Sequence, residues 1–461
     1  MEHFHFVGIG GTGLSAIAKV LLEQGYKVSG SDLAGSSLSD MVKESGGIVY
    51  IGHQAEHIQG ADIVIRSSAV PDSNVEVQAA SDSGIPVLKR SEFLGRLMED
   101  KNVIAIAGSH GKTTTTSMVA WILTALEKEP SYIVGGVAAN LETNASAGTG
   151  DDFVIEADEY DYMFLGLNPT IALVTNVEHD HPDIFPTAEK FEKAFREFIG
   201  RLNKDGTLIL CGDDPGALQL KGEIKSKQKL FVYGFEGSGF DYSAQNVHTN
   251  LQGGVDFEIV VTNNGDQESV QISLQIPGDH NVLNSIGAFA IADQIGLDKK
   301  KIAVALGNFI GSERRFDIRG DFQGVTLIDD YAHHPTEIMA TLKAAQTIYP
   351  DRRIWAVWQP HTYSRTVTLF TGFSKAFSGA DKTIVLDVFA AREEKPEDFN
   401  IKDLVNAIEN SDARFIPEKD QAAAYLMQEL SPGDVLLVFT AGDAIEINDE
   451  LERSMSAQNV N

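Results

Sequence analysis

The stretch that decides the fold of this chain is NVIAIAGSHGKTTTTSMVAWIL, residues 102–123. An apolar run predicts a buried strand, a loop with Gly108, Gly111 and Lys112 follows, and a second apolar run predicts a helix. Backbone N–H groups of such a loop bind phosphates, the lysine neutralises them, and a threonine hydroxyl reaches Mg²⁺. The usual signature has four residues between its glycines, whereas this loop has two. The strand–loop–helix context still predicts an ATP site.

Strands and helices alternate on both sides of this loop, which indicates parallel sheets covered by helices. Runs such as HFHFVGI and ADIVIRS predict strands before it, and TIALVTN, VTLIDD and RIWAVWQ predict strands after it. Residues 231–276 differ, because the turns EGSGFDY and TNNGDQE separate alternating runs, which predicts an antiparallel β insert. We therefore predict an α/β protein of three domains, with boundaries near residues 98 and 313.

The composition indicates a globular protein with an acidic surface. At 461 residues the chain is too long for one core. The net charge of -29 argues against nucleic acid and membrane partners, because both polyanions would be repelled. The N-terminus does not have the pattern of a signal peptide, no run is long enough to span a bilayer, and Cys211 is the only cysteine. These features predict a cytoplasmic protein whose partners are small molecules.

A second glycine motif lies near the N-terminus. Gly8, Gly10 and Gly13 form G-x-G-x-x-G between a predicted strand and a predicted helix, and Asp32 ends the next strand. In the dinucleotide fingerprint the glycines let a pyrophosphate approach the helix N-terminus, and the acid meets a ribose. The motif predicts a nucleoside diphosphate. The spacing alone leaves its identity open, with NAD as one alternative.

Polar runs follow several strands downstream. Glu156 ends the strand DFVIE, and TNVEHDHPD at residues 175–183 follows the strand IALVT. Carboxylates and imidazoles beside a phosphate loop suit Mg²⁺ and the γ-phosphate, although the second run alone also fits a transition-metal hydrolase. PGDHNVLN places two asparagines at a helix start, where they can bond a base or cap the helix. DDYAHHPTE and QPHTYSRT follow strands of the third domain, where open α/β sheets bind ligands.

The motifs GIGGTGLS, GSHGKTTTT, IEADEYD, TNVEHDH, GDHNVLN, ERRFD, DDYAHHPTE and QPHTYSRT occur in the order found in Mur ligases. The chain resembles that family over essentially its whole length. The resemblance implies a Rossmann-like UDP-sugar domain at 1–98, a central P-loop ATPase domain at 99–313 with a parallel sheet and the antiparallel insert, and a Rossmann-like amino-acid domain at 314–461. It implies UDP rather than NAD in the first domain. It also implies a monomer or weak homodimer.

By the same resemblance, ATP and Mg²⁺ serve to join the lactyl carboxylate of UDP-N-acetylmuramate to L-alanine through an acyl phosphate, in peptidoglycan precursor synthesis. The residues expected at ATP are Gly108, Ser109, His110, Gly111, Lys112, Thr113, Thr114, Asn281, Asn284, Arg315 and Asp330. Those expected at the UDP sugar are Gly10, Gly11, Thr12, Gly13, Asp32 and Ser67. Those expected at the amino acid are Tyr331, His333 and Arg365. The expected metal ligands are Thr113, Glu156 and His181, and the expected catalytic residues are Lys112, His181, Arg315 and His333.

Some positions depart from the family pattern. The family normally carries arginines where this chain has Thr362 and Ser146. EADEYD and EHDHPDIFP look closer to a relative in cell-wall recycling that attaches a preformed peptide to the same UDP sugar, whereas DDYAHHPTE and QPHTYSRT favour L-alanine. The acyl phosphate must be kept from water, so the third domain is expected to close over the second.

Overall fold

The computed structural model describes residues 1–235, 239–263, 265–409 and 412–458. Within these residues three sheets of five, ten and six strands follow one another along the chain. The predicted α/β fold with three domains is thereby confirmed. The turns EGSGFDY and TNNGDQE lie partly outside the described residues, at 236–238 and at 264. Among the helices described, none has both the length and the apolar character that crossing a bilayer requires.

The first sheet is wholly parallel, in the order β3-β2-β1-β4-β5. Its strands are β1 (His3–Val7), β2 (Lys27–Asp32), β3 (Ile48–Ile51), β4 (Ile63–Arg66) and β5 (Val87–Lys89). Its helices are α1 (Thr12–Glu23), α2 (Ser37–Glu44), α3 (Val75–Asp82) and α4 (Arg90–Leu97). The glycine motif connects β1 to α1 at the point where the strand order reverses, which is where such sheets bind ligands.

The second sheet has the order β15-β14-β13-β12-β11-β10-β6-β9-β7-β8. Its strands are β6 (Asn102–Ala107), β7 (Ser131–Ala138), β8 (Thr143–Ser146), β9 (Asp152–Glu156), β10 (Ile171–Val174), β11 (Thr207–Cys211), β12 (Lys229–Gly234), β13 (Tyr242–Thr249), β14 (Val255–Asn263) and β15 (Asp266–Leu274). Its helices are α5 (Lys112–Ala125), α6 (Ala188–Ile199), α7 (Pro215–Gln219), α8 (Asp279–Gln294) and α9 (Lys299–Gly307). The strand β6, in the middle of the parallel part, carries the phosphate loop at its end.

The antiparallel part of this sheet starts later than the sequence predicted. Phe231 belongs to β12, which pairs in parallel with β11, and the antiparallel ladder begins at Tyr242. The ladder of β13, β14 and β15 continues the main sheet, because β13 pairs with the end of β12 through Tyr242 and Ser243. The opposite edge carries a second antiparallel pair, β7 with β8, which the sequence analysis missed.

The third sheet has the order β16-β17-β21-β18-β19-β20, and only β16 is antiparallel to its neighbour. Its strands are β16 (Asp317–Phe322), β17 (Val325–Asp330), β18 (Ile354–Trp358), β19 (Lys382–Val385), β20 (Asp412–Phe415) and β21 (Val435–Phe439). Its helices are α10 (Pro335–Ile348), α11 (Tyr363–Thr368), α12 (Phe370–Ala376), α13 (Ile401–Ala407), α14 (Lys419–Glu429) and α15 (Glu446–Gln458). The loops after β17 and β18 carry DDYAHHPTE and QPHTYSRT to one edge of the sheet.

The apolar core is shared unequally among the domains. One buried cluster runs from the first domain into the second and includes Phe4, Phe93, Phe153 and Phe164. The two clusters of the third domain contain only residues from Phe316 onward. The first two domains therefore share a continuous core, whereas the third has its own.

Candidate active site

The predicted phosphate loop joins β6 to α5 and is shaped by glycines. Gly108 and Gly111 have φ angles of +143° and +78°. A Cβ on Gly111 would lie 2.5 Å from Oδ1 of Asn284, and a Cβ on Gly108 would collide with Thr175. Lys112 is the first residue of α5. The loop therefore presents backbone amides and a helix N-terminus, which together favour an anion.

Lys112 is a partly buried cation beside a fully buried carboxylate. Its Nζ lies 2.9 Å from Oε2 of Glu159, which is fully buried. Burial alone would lower the pKa of Lys112, but the carboxylates of Glu159, Asp158 and Glu156 raise it above its ordinary value. The lysine is therefore protonated. Glu159 was not among the predicted site residues, although the quoted run EADEYD contains it.

The residues expected to hold metal ions lie around this pair. The Thr113 hydroxyl donates to Oε1 of Glu156 at 3.1 Å, and the N–H of Gly135 donates to Oε2 at 2.7 Å. Nε2 of His181 lies 3.7 Å from Oε1 of Glu159. A hydroxyl next to carboxylate oxygens is the hard oxygen set that Mg²⁺ prefers, so Thr113 and Glu156 fit that ion.

The run TNVEHDHPD does not form one metal site, because its side chains have different partners. His179 bonds the carbonyl of Phe185 at 2.6 Å, and Asp183 accepts from the hydroxyl of Tyr160 at 2.9 Å. Asp180 pairs with Arg365 of the third domain. The hydrolase alternative, which needs these groups on one ion, gains no support from this geometry.

A buried ion pair joins the second and third domains. Nε of Arg365 lies 2.8 Å from Oδ1 of Asp180, and both side chains are 3% exposed. NH2 of Arg365 also lies 3.3 Å from Nδ1 of His181. Burial would raise the pKa of Asp180, but His181 and Arg365 hold it well below its usual range. The carboxylate is therefore ionised and anchors α11 against the candidate metal residues.

A second group of contacts joins the start of α10 to the phosphate loop. Nε2 of His110 lies 3.0 Å from Glu178, and its Nδ1 lies 3.4 Å from Glu337 of the third domain. The Thr336 hydroxyl donates to Glu178 at 2.8 Å. Although burial lowers it, hydrogen bonds to Glu178 and Glu337 raise the pKa of His110 to about 9. His110 is therefore a cation between two carboxylates, one from each domain.

The arginine pair of ERRFD faces the cleft from the domain boundary. The guanidinium carbons of Arg314 and Arg315 both lie 5.0 Å from the ring centre of Tyr331. NH1 of Arg315 is 3.4 Å from Glu337. Nδ1 of His333 lies 3.0 Å from the carbonyl of Tyr331, and burial lowers the pKa of His333 to about 3, so the ring is neutral.

Asp330, which was expected at ATP, points into its own domain. Its carboxylate accepts from the N–H groups of Phe316 at 2.9 Å and Ala332 at 2.7 Å, and from the hydroxyl of Thr341 at 3.2 Å. Burial raises its pKa to about 6. In this structure Asp330 therefore holds the backbone next to Arg315 rather than facing the cleft.

Many of the residues described above line one cavity of about 630 Å³ among the three domains. Of the residues predicted from sequence, it contains Thr12, Gly13, Ser109, His110, Gly111, Lys112, Thr113, Glu156, His181, Arg315, Tyr331, His333 and Arg365. Those outside its lining are Gly10, Gly11, Asp32, Ser67, Gly108, Thr114, Asn281, Asn284 and Asp330. The two asparagines lie under the phosphate loop instead, where Nδ2 of Asn284 donates to Asn281 at 3.2 Å.

The first domain contributes a basic side chain that the sequence analysis missed. NH2 of Arg90 lies 3.2 Å from Asp158 of the second domain, and a Cβ on Gly13 would collide with the Arg90 guanidinium. Oδ2 of Asp32 accepts from the N–H of Gly10 at 2.8 Å. Ser67 packs against Gly8 at the same loop. No spacing rule identifies Arg90, because only the fold brings the start of α4 to the glycine motif.

A buried carboxylate lies behind the expected UDP-binding strand. Glu76 of α3 is fully buried, with Nε2 of His5 at 3.2 Å, Nδ1 of His57 at 2.8 Å and the hydroxyl of Ser31 at 2.5 Å. Burial would raise its pKa, but the hydrogen bonds from His5, Ser31 and His57 lower it to about 2. The network fixes the end of β2 immediately before Asp32.

Family models match all three domains. The model described as "Mur ligase family, catalytic domain" matches residues 3–102, "Mur ligase middle domain" matches 106–292, and "Mur ligase, glutamate ligase domain" matches 314–442. Together they cover well over half of the chain.

Relatives match over nearly the whole length. A UDP-N-acetylmuramate–L-alanine ligase from Desulforamulus reducens is 42% identical, over 97% of this chain and 96% of the relative. One from Roseiflexus is 39% identical, over 99% and 100%. The crystal structure of UDP-N-acetylmuramate-alanine ligase from Thermotoga maritima has a TM-score of 0.81 at 27% identity, over 99% of this chain and 100% of that one. A murein peptide ligase from Psychrobacter arcticus shares the fold, with a TM-score of 0.73 at 24% identity over 99% of each chain.

Proposed function

This chain belongs to the Mur ligase family, and from that premise we propose that it uses ATP to join the lactyl carboxylate of UDP-N-acetylmuramate to L-alanine. The observation that carries the proposal is the cavity itself. It brings the phosphate loop of the second domain, the helix start of the first and the DDYAHHPTE loop of the third to one space. Three substrates that must react in sequence need such a shared space.

The chemistry requires activation of a carboxylate, which is a poor electrophile. Attack of its oxygen on the γ-phosphorus of ATP gives an acyl phosphate and ADP. The transfer depends mainly on positioning and charge neutralisation, for which we propose Lys112 and Arg315, two of the cations that line the cavity. The amine of L-alanine then attacks the acyl carbon, and phosphate leaves. In neutral His333, Nδ1–H donates to the carbonyl of Tyr331, so Nε2 carries no proton. Nε2 can therefore accept a hydrogen bond from the amine of L-alanine.

Mg²⁺ is part of the proposal, with Thr113, Glu156 and His181 as the residues that would hold it. When bound, the ion supplies positive charge to the phosphate oxygens during transfer. Glu156 is the residue best suited to this role, because the N–H of Gly135 and the hydroxyl of Thr113 orient its carboxylate toward the phosphate loop.

Contacts between the second and third domains exclude water from the reacting groups. The Asp180–Arg365 pair and the Thr336–Glu178 hydrogen bond both join the third domain to the second near the phosphate loop. An acyl phosphate hydrolyses if water reaches it, so this closure protects the intermediate until the amine arrives.

The test is phosphate release from ATP, Mg²⁺ and UDP-N-acetylmuramate, with L-alanine, glycine, L-serine and a tripeptide compared as amines. We expect L-alanine to be preferred. We expect Lys112→Ala to abolish amide formation while UDP-sugar binding stays measurable, because Lys112 is proposed for the nucleotide phosphates and the residues proposed for the UDP sugar belong to the first domain. Lys193→Ala, at an exposed lysine of the same domain, is the control and should keep full activity.

Other outcomes would overturn the proposal. Full activity of Lys112→Ala would remove its basis. Preference for the tripeptide would identify the recycling reaction instead. Turnover of a nicotinamide cofactor would identify an oxidoreductase, and UDP-sugar binding with no phosphate release would identify a binding protein.

A further inference from the structure

We propose that Arg392 binds the α-carboxylate of the incoming amino acid and so helps to select amino acids over other amines. The inference rests on the ligase activity proposed above and deepens it. Arg392 was not among the residues expected from sequence. It lies in the loop between β19 and α13 and lines the same cavity as Lys112 and Arg365.

The loop that carries Arg392 is fixed to the loop before α11. The N–H of Phe389 donates to the carbonyl of Pro360 at 2.8 Å, and the N–H of Thr362 donates to the carbonyl of Phe389 at 3.0 Å. The N–H of Ser364 donates to Glu393 at 2.8 Å. These bonds hold the exposed Arg392 side chain at the rim of the cavity.

Arg392 has no acidic partner among the described residues, since none of their carboxylates lies within 4.0 Å of its guanidinium. Its guanidinium carbon instead lies 4.7 Å from the ring centre of Tyr160. Lys112, Arg315 and Arg365 of the same cavity differ, because they lie 2.9, 3.4 and 2.8 Å from carboxylates. Arg314 also lines the cavity, but its NH2 donates to the carbonyls of Thr440 and Gly442. Arg392 is therefore ready to bind an anion without first breaking an ion pair.

The position of Arg392 suits a carboxylate rather than a transferred phosphate. Its neighbour Tyr160 lies 5.0 Å from His181, ring to ring, so Arg392 is one side chain away from the residues around Lys112. An amino acid bound there can direct its amine inward while its carboxylate stays at the rim. A guanidinium binds a carboxylate through two parallel hydrogen bonds, which also fixes orientation.

Thr362 supports this assignment. It lines the same cavity and is the residue immediately before α11. Its short uncharged side chain supplies no cation, and Arg365, the cation of α11, is already paired with Asp180. The hydrogen bond from its N–H to Phe389 brings the Arg392 loop to the same place. Arg392 thus supplies the positive charge from a neighbouring loop.

The experiment compares L-alanine with L-alaninamide, which lacks the carboxylate, in the wild type, Arg392→Ala and Arg392→Lys. We expect Arg392→Ala to raise the KM for L-alanine about tenfold, as a charged hydrogen bond implies, while the KM values for ATP and UDP-N-acetylmuramate stay within about twofold. With L-alaninamide the wild type and Arg392→Ala should have equal kcat/KM. Arg392→Lys should fall between them with L-alanine.

Two further variants complete the test. Thr362→Arg in the Arg392→Ala background should restore the KM for L-alanine, because it returns a cation to the same space. Arg453→Ala, at an exposed arginine on α15, is the control and should leave the kinetic constants for L-alanine and L-alaninamide unchanged. An equal loss with L-alanine and L-alaninamide would overturn the inference, as would a rise in the KM of the UDP sugar alone. Absence of ATP-dependent coupling in the wild type would instead refute the ligase activity, so the two failures are distinguishable.

Discussion

Gly111→Ala tests whether the phosphate loop requires a residue without a side chain at this position. The residue has φ +78°, and a Cβ would lie 2.5 Å from Oδ1 of Asn284. The left-handed conformation costs a non-glycine residue about 1–2 kcal/mol, and overpacking a buried contact adds about 1–3 kcal/mol. We therefore expect a local loss of about 2–5 kcal/mol, together with weaker nucleotide binding because the loop must move.

Gly25→Ala is the matched control, since Gly25 has φ +86° and nothing within 4 Å of its would-be Cβ. The Gly25→Ala variant should lose only the stability that corresponds to the cost of the left-handed conformation, about 1–2 kcal/mol. Hydrogen–deuterium exchange measures the local loss, in peptides from β6 and α5 for Gly111→Ala and from α1 and β2 for Gly25→Ala. Calorimetry with ATP measures binding. In a double-mutant cycle Asn284→Ala should recover the overpacking part of the Gly111→Ala loss. The reasoning is refuted if Gly111→Ala matches Gly25→Ala in stability and binds ATP normally.

Two other perturbations follow from buried carboxylates. Glu76→Gln should lower the free energy of unfolding by about 3 kcal/mol at pH 7, because the pKa of Glu76 falls from 4.5 to about 2 on folding. The stabilisation by the ionised carboxylate is complete above pH 4.5 and is lost as the pH falls toward 2. Thermal unfolding of wild type and variant should therefore converge between those pH values, and a constant difference would contradict this. Asp180→Asn should open the cleft, seen as a larger radius of gyration in solution scattering, because breaking a buried ion pair costs about 3–5 kcal/mol. Glu197→Gln, at an exposed pair, should leave the radius unchanged.

The parts of the molecule that were predictable from sequence are those set by local pattern. The strand, loop and helix around Lys112 follow from apolar runs and glycine spacing, and the structure places them at β6 and α5. The same local signals placed Asn281 at a helix start. The cytoplasmic location and the monomeric or weakly dimeric state remain predictions.

The remaining features depend on contacts between distant segments. The sequence does not distinguish Glu337 and Glu159 from ordinary polar residues. Only the assembled domains place Glu337 beside His110 and Glu159 beside Lys112. Asp330 depends on its surroundings in the same way, since a strand-end carboxylate can turn inward to bond its own backbone. Its contact with ATP stays a prediction. The late start of the antiparallel ladder also escaped prediction, because an alternating run does not reveal whether its partner strand is parallel.

The division of the apolar core has a thermodynamic consequence. The first two domains share one cluster, whereas the contacts that seat the third domain over the phosphate loop include the Asp180–Arg365 and His110–Glu337 pairs. Undocking the third domain through such pairs exposes charged rather than hydrocarbon surface, so it changes the heat capacity little. Removing the charge of one member of such a pair should therefore shift the docked population more strongly than a change in temperature does.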